Sequence, residues 1–157
     1  MNLNVEKILI IGLGMIGSSI ALASKSKGIK VYGFDKSNNS IKEALEKNII
    51  DSKVESILDI NSKDFVKKVD LIIIAVPPKQ TLDVLNDLKD IWNTDVTITD
   101  TSSVKNHIKL NGASNIVLSH PIAGSDQSGI SAANGDLFKN KKNVLCDPFN
   151  AEKEHLE

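Results

Sequence analysis

A histidine in the last third of the chain stands among residues that suit proton chemistry. His120 follows the apolar run Ile116–Leu118 and precedes Pro121, within the stretch SHPIAGSDQSG. A neutral imidazole is well suited to accept a proton near pH 7, because its ordinary pKa is about 6.5. Two interpretations remain open from spacing alone. The residue is either a loop histidine bonded to backbone or the proton acceptor in the dehydrogenation of an alcohol.

A glycine-rich turn near the N-terminus could bind the diphosphate of a dinucleotide. The segment GLGMIG lies between an apolar run and a helical pattern. Its first glycine allows a tight turn, its second lets the backbone approach a pyrophosphate, and its third lets the helix pack closely on the sheet. The N–H groups of the helix N-terminus then face the phosphates. The predicted cofactor-binding residues here are Gly12, Leu13, Gly14, Met15, Ile16 and Gly17.

An acidic residue follows at the place where such a site needs one. Asp35 comes directly after the run KVYGF, roughly 20 residues beyond the turn. A carboxylate there bonds the ribose hydroxyls and repels the 2′-phosphate of NADP, so the predicted cofactor is NAD. Lys36 is the adjacent cation and leaves NADP open as an alternative. A glycine turn in an unrelated α/β domain is the competing interpretation.

Short aliphatic runs alternate with helical patterns along the chain. Strands are predicted at Lys7–Ile11, Lys30–Phe34, Leu71–Val76, Val96–Thr99, Ile116–Leu118 and Asn143–Cys146. Helices are predicted at Met15–Lys27, from a Ser40 cap through Asn48, at Asp64–Lys68, at Gln80–Trp92, and from about Val104 with Ser102 or Ser103 as cap. This alternation predicts an α/β fold of the doubly wound Rossmann type, with a mostly parallel sheet and helices on both faces.

Several loops should lie at the carboxyl ends of these strands, where open α/β sheets bind ligands. Val76 and Pro77 either form a wall of the cofactor site or simply terminate their strand. Ser103 could cap a helix and also bond a substrate. His120 at the end of its strand would reach the space beside a nicotinamide ring.

The composition indicates one globular domain. The chain has 157 residues, 41% of them hydrophobic, and a net charge of −1, without a basic stripe. We therefore expect a substantial core and no nucleic-acid partner. No run reaches the ~20 apolar residues that a membrane span needs, so no membrane association is expected. A single cysteine, Cys146, suits a reducing cytoplasm, and no metal site is predicted.

Four segments together resemble a known family: GLGMIGSSIA, AVPP, TDTSSVK and SHPIAGSDQSG. They resemble the nucleotide-binding domain of the prephenate dehydrogenase family over essentially residues 5 to 147. The resemblance implies NAD-dependent oxidative decarboxylation of prephenate to 4-hydroxyphenylpyruvate in tyrosine biosynthesis. It implies that His120 accepts the proton of the ring hydroxyl and that Ser103 helps to align hydroxyl, imidazole and nicotinamide. It also assigns Gly124, Ser125 and Asp126 to the substrate site, although the family more often has Gly-Thr-Glu there.

The same resemblance implies a helical dimerisation domain that this chain lacks. We expect residues 1–150 to form the NAD-binding Rossmann domain and 151–157 a tail, whose final Leu-Glu resembles a vector-derived junction. All 19 basic residues are lysines, whereas bidentate arginine is the efficient partner of a substrate carboxylate. The chain alone should therefore bind NAD but turn over prephenate poorly or not at all. The full-length protein is expected to be a homodimer.

Three alternative functions fit parts of the pattern. Arogenate dehydrogenase performs the same chemistry on the transaminated substrate. A β-hydroxyacid dehydrogenase of the 6-phosphogluconate type shares a similar glycine turn but generally uses a catalytic lysine on a later helix. A regulatory module would bind NAD without catalysis.

Overall fold

A five-stranded parallel sheet with the N-terminal strand at its centre organises the fold. The computed structural model describes residues 5–146 and 149–156. The strands are β1 (Lys7–Ile11), β2 (Lys30–Phe34), β3 (Ser52–Lys53), β4 (Leu71–Ile74), β5 (Thr97–Asp100), β6 (Leu118–Pro121) and β7 (Asn143–Cys146). The sheet order is β3-β2-β1-β4-β5. The winding therefore reverses between β1 and β4, and ligands bind outside the carboxyl ends of strands at such a point.

Helices connect the strands of this sheet. They are α1 (Met15–Lys25), α2 (Asn38–Glu46), α3 (Ile57–Ile60), α4 (Lys63–Val66), α5 (Pro78–Asp87) and α6 (Lys153–Leu156), with 3-10 turns at Lys89–Ile91 and Ile130–Ala132. The side chains of β1 alternate between two apolar clusters. Ile8 and Ile10 pack in the cluster of α1 and α2, whereas Leu9 and Ile11 pack in the cluster of α5. Helices thus cover both faces of the central strands, which confirms the predicted Rossmann architecture.

The last two strands leave the regular parallel pattern. β6 pairs with β7 in antiparallel register, and the segment before β6 joins β5 through one parallel bridge, Ile98 to Ile116. The predicted strand Ile116–Leu118 therefore starts later than expected. His120 lies inside β6 and opposite Val144, instead of following the strand.

Two predicted helix caps are wrong. The α2 helix starts after Ser37, whose hydroxyl accepts the Ser40 N–H at 3.2 Å, so Ser40 lies within the helix. No helix starts near Val104, because residues 101–110 form an irregular loop with one turn. The hydroxyl of Ser102 contacts the Asp100 carboxylate at 2.5 Å instead of capping a helix.

The strands Lys7–Ile11, Lys30–Phe34 and Asn143–Cys146 have the predicted ends, and the remaining predicted elements exist with shifted ends. The predicted helix Gln80–Trp92 is α5 followed by a 3-10 turn, and α5 begins with Pro78 at its first position, where a missing N–H has no cost. The tail also packs on the domain. Ala151 is buried, and the His155 ring lies 2.8 Å from the Thr97 hydroxyl. Glu157 lies outside the described residues. In the part of the chain that the structure describes, we find no helix with the length and apolar character of a membrane span.

Candidate active site

The glycine turn after β1 is built as its residue types predict. Gly12 has a φ of +97°, and a Cβ added to it would lie 2.6 Å from the Ala75 carbonyl oxygen. A Cβ on Gly17 would lie 1.9 Å from the Gly12 carbonyl oxygen. A side chain at either position would collide with backbone, so glycine is needed at both.

Gly14 differs from its two neighbours in the motif because its Cβ position faces open space. Among the described residues, apart from its chain neighbours and the backbone of its own helix, no heavy atom lies within 4 Å of that position. Gly14 is also the N-cap of α1, and no side chain caps the helix there. The first N–H groups of α1 are therefore free to meet an anion. This arrangement fits the diphosphate of a dinucleotide.

Asp35 joins the glycine turn to the end of β2. Its Oδ2 accepts the N–H of Leu13 at 2.7 Å, and its Oδ1 accepts the N–H of Ser37 at 2.8 Å. The carboxylate is half-buried. Each carboxylate oxygen can accept further hydrogen bonds, so Asp35 can bond ribose hydroxyls while it holds the turn.

A cleft of about 380 Å³ unites most of the predicted cofactor residues. Gly12, Gly14, Asp35, Lys36, Val76 and Pro77 line it. Leu13 contributes its backbone N–H to Asp35 and buries its side chain, while Met15 and Ile16 form the first turn of α1. A larger groove of about 610 Å³ lies along α1 and β5, away from the glycine turn. The glycine turn, the helix N-terminus and Asp35 meet at the smaller cleft, which we call the nucleotide cleft.

The cleft also contains residues that the sequence did not reveal. They are Ile11, Phe34, Ser37, Ile57, Ala75, Gln80 and Val84. Phe34 and Ser37 flank Asp35 in sequence, so adjacency could have indicated them. Ile57 carried no signal, because it comes from the short helix α3, which was not predicted. Its partly buried side chain packs against the same apolar cluster as α5.

A series of contacts leads from the glycine turn to His120. Gly12 approaches Ala75 at the end of β4, and the N–H of Thr101 bonds the adjacent Ile74 carbonyl at 3.0 Å. The Thr101 carbonyl in turn lies 3.3 Å from Nδ1 of His120. The nucleotide cleft and the histidine therefore share the carboxyl edge of the sheet.

The partner of His120 defines what its ring can do. A carbonyl oxygen only accepts hydrogen bonds, so the contact with Thr101 requires the proton on Nδ1. The lone pair of Nε2 is then available to accept a proton. The ring is half-buried. The bond to backbone that the first interpretation expected is therefore present, and it leaves the second interpretation open.

The remaining predicted site residues are solvent-exposed. Ser103 is exposed on the loop after β5, whereas the neighbouring Ser102 is buried and bonded to Asp100. Ser125 and Asp126 are exposed on the loop after His120, where their side chains contact each other at 3.1 Å. Gly124 is also exposed, with nothing near its Cβ position. Both loops follow strands that end at the same edge as the nucleotide cleft.

Comparison with known families agrees with this geometry. The family model described as prephenate dehydrogenase, nucleotide-binding domain, matches residues 20–157. The chain belongs to this family. The matched region contains Asp35, both loops and His120, and it begins just after the glycine turn.

Curated relatives and a solved structure extend the comparison to the whole chain. The chain is 34% identical to prephenate dehydrogenase of Bacillus subtilis, in an alignment that covers 100% of this chain. It is 37% identical to that of Lactococcus lactis, in an alignment that covers 97% of this chain. It covers only 43% and 44% of those relatives. A prephenate dehydrogenase from A. aeolicus, solved in complex with hydroxyphenyl propionate and NAD+, matches with a TM-score of 0.82 and 29% identity. That match covers 99% of this chain and 55% of the solved one.

Proposed function

We propose that this chain is the NAD-binding half of a prephenate dehydrogenase. The observation that supports this most directly is the position of His120, which presents a proton-accepting Nε2 at the same sheet edge as the dinucleotide cleft. The reaction is the oxidative decarboxylation of prephenate to 4-hydroxyphenylpyruvate. The cytoplasm, where prephenate-type intermediates and NAD are available, is the proposed location, consistent with the free Cys146.

NAD is the proposed cofactor, and it supplies the hydride acceptor of the reaction when bound. The uncapped N-terminus of α1 binds its diphosphate, and Asp35 binds the adenosine ribose. Ser37 and Ile57 lie in the same cleft, beside Asp35. The negative charge of Asp35 disfavours the additional phosphate of NADP.

His120 is the proposed proton acceptor. Nε2 takes the proton of the substrate hydroxyl while the Nδ1–H bond to the Thr101 carbonyl keeps the ring in the required tautomer. Ser103 is proposed to hold the same hydroxyl, because it lies on the neighbouring loop at this edge. Loss of carbon dioxide and aromatisation of the ring then make the step favourable.

The substrate carboxylates need partners beyond those in this chain. Gly124, Ser125 and Asp126 are proposed to border the substrate, but none is a cation. The sequence contains no arginine, and the curated relatives are more than twice as long as the matched segment. We propose that a further, helical domain supplies the carboxylate contacts and also forms a homodimer. Residues 1–150 then act as the cofactor domain, and 151–157 are the tail that follows it.

Two measurements test this function. The first is a calorimetric titration of the 157-residue chain with NAD, for which saturable binding is expected. The second is the rate of NADH formation by the longer protein with prephenate and, in parallel, with arogenate. Faster turnover of prephenate supports the proposal. Faster turnover of arogenate would show that arogenate, and not prephenate, is the substrate. NAD binding without oxidation of either compound would identify a non-catalytic module instead.

A further inference from the structure

The backbone pairing between β5 and β6 ends before it reaches His120. The Ile98 N–H bonds the Asn115 carbonyl at 2.9 Å, and the Val117 N–H bonds the Ile98 carbonyl at 3.0 Å. Over residues 97–121, which the structure describes completely, no further backbone bond joins the two strands. The strands therefore separate toward their carboxyl ends, where β6 carries the histidine.

Side chains bridge this separation, and a buried carboxylate is at the centre of the bridge. Asp100 is 0% exposed and accepts hydrogen bonds from four donors. Two come from its own loop, the N–H and hydroxyl of Ser102 at 3.0 and 2.5 Å. The third is the Lys105 ammonium, which lies 2.5 Å from both carboxylate oxygens. The fourth is the N–H of Ser119 at 3.1 Å.

Ser119, the residue directly before His120, is hydrogen-bonded to this bridge through both its N–H and its carbonyl. Its N–H bonds Asp100, and its carbonyl accepts Lys105 Nζ at 2.7 Å. Its hydroxyl donates to the Asp100 carbonyl at 2.7 Å. Side-chain atoms thus bond the backbone N–H and carbonyl of Ser119, which elsewhere in the sheet would be bonded by the backbone of the neighbouring strand. At this edge the hydrogen bonds between β5 and β6 are therefore made through side chains.

We propose that Asp100 and Lys105 are positioning residues for His120, and this inference rests on the proposed function of that histidine. The pair fixes Ser119 and the loop that carries the Thr101 carbonyl, which are the two attachments of the histidine on its β5 side. Lys105 is 18% exposed, and the pair is the one ion pair among the described residues with a fully buried member. A buried charge without its partner is strongly unfavourable, so the pair should hold one geometry.

The first test reads the histidine directly in the 157-residue chain. Long-range ¹H–¹⁵N spectra of the imidazole rings report the tautomer of each of the three histidines. We expect the Nδ1–H form at His120 in the unsubstituted chain and a mixture of tautomers in Lys105→Met and Asp100→Asn. The His155 signals, from a ring bonded at the opposite end of β5, should not change. Unchanged His120 signals in folded variants would overturn the proposal.

Each single variant leaves one buried charged group without its partner and could therefore fail to fold. A double variant avoids this problem. Asp100→Asn/Lys105→Met removes both charges and therefore leaves no unpaired buried charge. The asparagine keeps a polar side chain of the same size at position 100. The double variant should fold and still lose the single tautomer of His120. A double variant that keeps the Nδ1–H form would contradict the positioning role even if both single variants unfold.

The second test measures kinetics in the longer enzyme. Misplacement of a reacting group by about 1 Å can cost about 100-fold in rate, so Lys105→Met should lower kcat by about that factor and leave the KM for NAD unchanged. Lys105→Arg keeps the charge and should retain most of the rate, and Lys109→Met is an exposed control on the same loop. Equal kcat for Lys105→Met and Lys109→Met would overturn the inference. If the unsubstituted enzyme oxidises neither substrate, the proposed function fails, while the spectra still decide the positioning role.

Discussion

Gly17 packs its Cα directly against the carbonyl group of Gly12, since a Cβ on Gly17 would lie 1.9 Å from that oxygen. The contact brings the first turn of α1 onto the turn that follows β1. Gly14, between them in sequence, has no such neighbour. The three glycines of one motif therefore have separable roles, two in folding and one in access to the cleft.

The first prediction concerns the folding role. Gly17→Ala forces helix and turn apart, and overpacking of this kind typically costs about 1–3 kcal/mol. We expect the free energy of unfolding to fall by at least that amount, measured by urea denaturation monitored through Trp92. Gly28→Ala is not a suitable control because Gly28 has a φ of +80°. Ser26→Ala, at an exposed position after the same helix, is the better one and should change stability by well under half as much.

The second prediction concerns access to the cleft. The methyl group of Gly14→Ala would meet no other side chain or strand among the described residues, so the folded state should lose about 1 kcal/mol or less, from the poorer N-cap. The new methyl group occupies the space in front of the α1 N-terminus. NAD affinity should fall at least tenfold, or about 1.4 kcal/mol, in a calorimetric titration. Unchanged affinity would show that the diphosphate does not lie at this turn.

The third prediction concerns Asp35 and the choice of cofactor. Asp35→Ser removes the carboxylate that is proposed to bond the ribose, and loss of charged hydrogen bonds of this kind costs about 1.5–3 kcal/mol. NAD affinity should fall by about 10- to 100-fold, while NADP affinity should fall less or rise. Lys36→Met is the matched variant. It should leave NAD binding intact, and a selective loss of NADP binding would identify Lys36 as the partner of the 2′-phosphate.

The fourth prediction concerns stability in acid. The Asp51 carboxylate accepts hydrogen bonds from the Lys25 ammonium and from the Val31 N–H, each at 2.8 Å. These bonds connect α1 to β2. Burial raises the pKa of Asp51, but these hydrogen bonds lower it by more, so the net pKa is below its ordinary value. A depressed pKa stabilises the fold above the unfolded-state pKa, and this contribution is lost as pH falls through the folded-state pKa.

Asp51→Asn should therefore flatten the dependence of unfolding free energy on pH below about pH 4. The loss at neutral pH should be about 1 kcal/mol or less, because the carboxylate is 32% exposed and solvent screens it. Urea denaturation at a series of pH values measures both effects. Asp64→Asn is the control, since that carboxylate is 93% exposed. Equal slopes for the two variants would contradict the role of Asp51.

The sequence predicted those features that local chemistry determines. Lys7–Ile11 and Lys30–Phe34 are strands with the predicted ends, because continuous or alternating apolar runs followed by turn formers leave little choice of boundary. The glycine turn and Asp35 were recognisable because each residue type has a separate physical reason at its position. His120 and Ser103 were candidates from their positions after strands, but their specific roles came from the motif resemblance, since a single histidine has no distinguishing spacing.

Tertiary contacts determined what the sequence did not predict. The segment after β5 looked like a capped helix, but Ser102 and Lys105 use their polar groups on the buried Asp100. That competition is invisible without the neighbouring strand. In the same way, Ile57 reaches the cleft only because its side chain packs against the apolar cluster that contains Val84 of α5. The antiparallel pairing of β7 with β6 also depends on the whole fold, because the run Asn143–Cys146 carries no mark of direction.

The fifth prediction concerns the proton acceptor. His120→Asn keeps a side chain of similar reach that can bond the Thr101 carbonyl, but an amide cannot accept a proton near neutral pH. In the longer enzyme we expect kcat to fall by about 100- to 10,000-fold, the range of general base catalysis, with NAD affinity in this chain within twofold of the unsubstituted value. Full activity of His120→Asn would remove the histidine from the mechanism, and would favour a dehydrogenase that uses a lysine on a later helix.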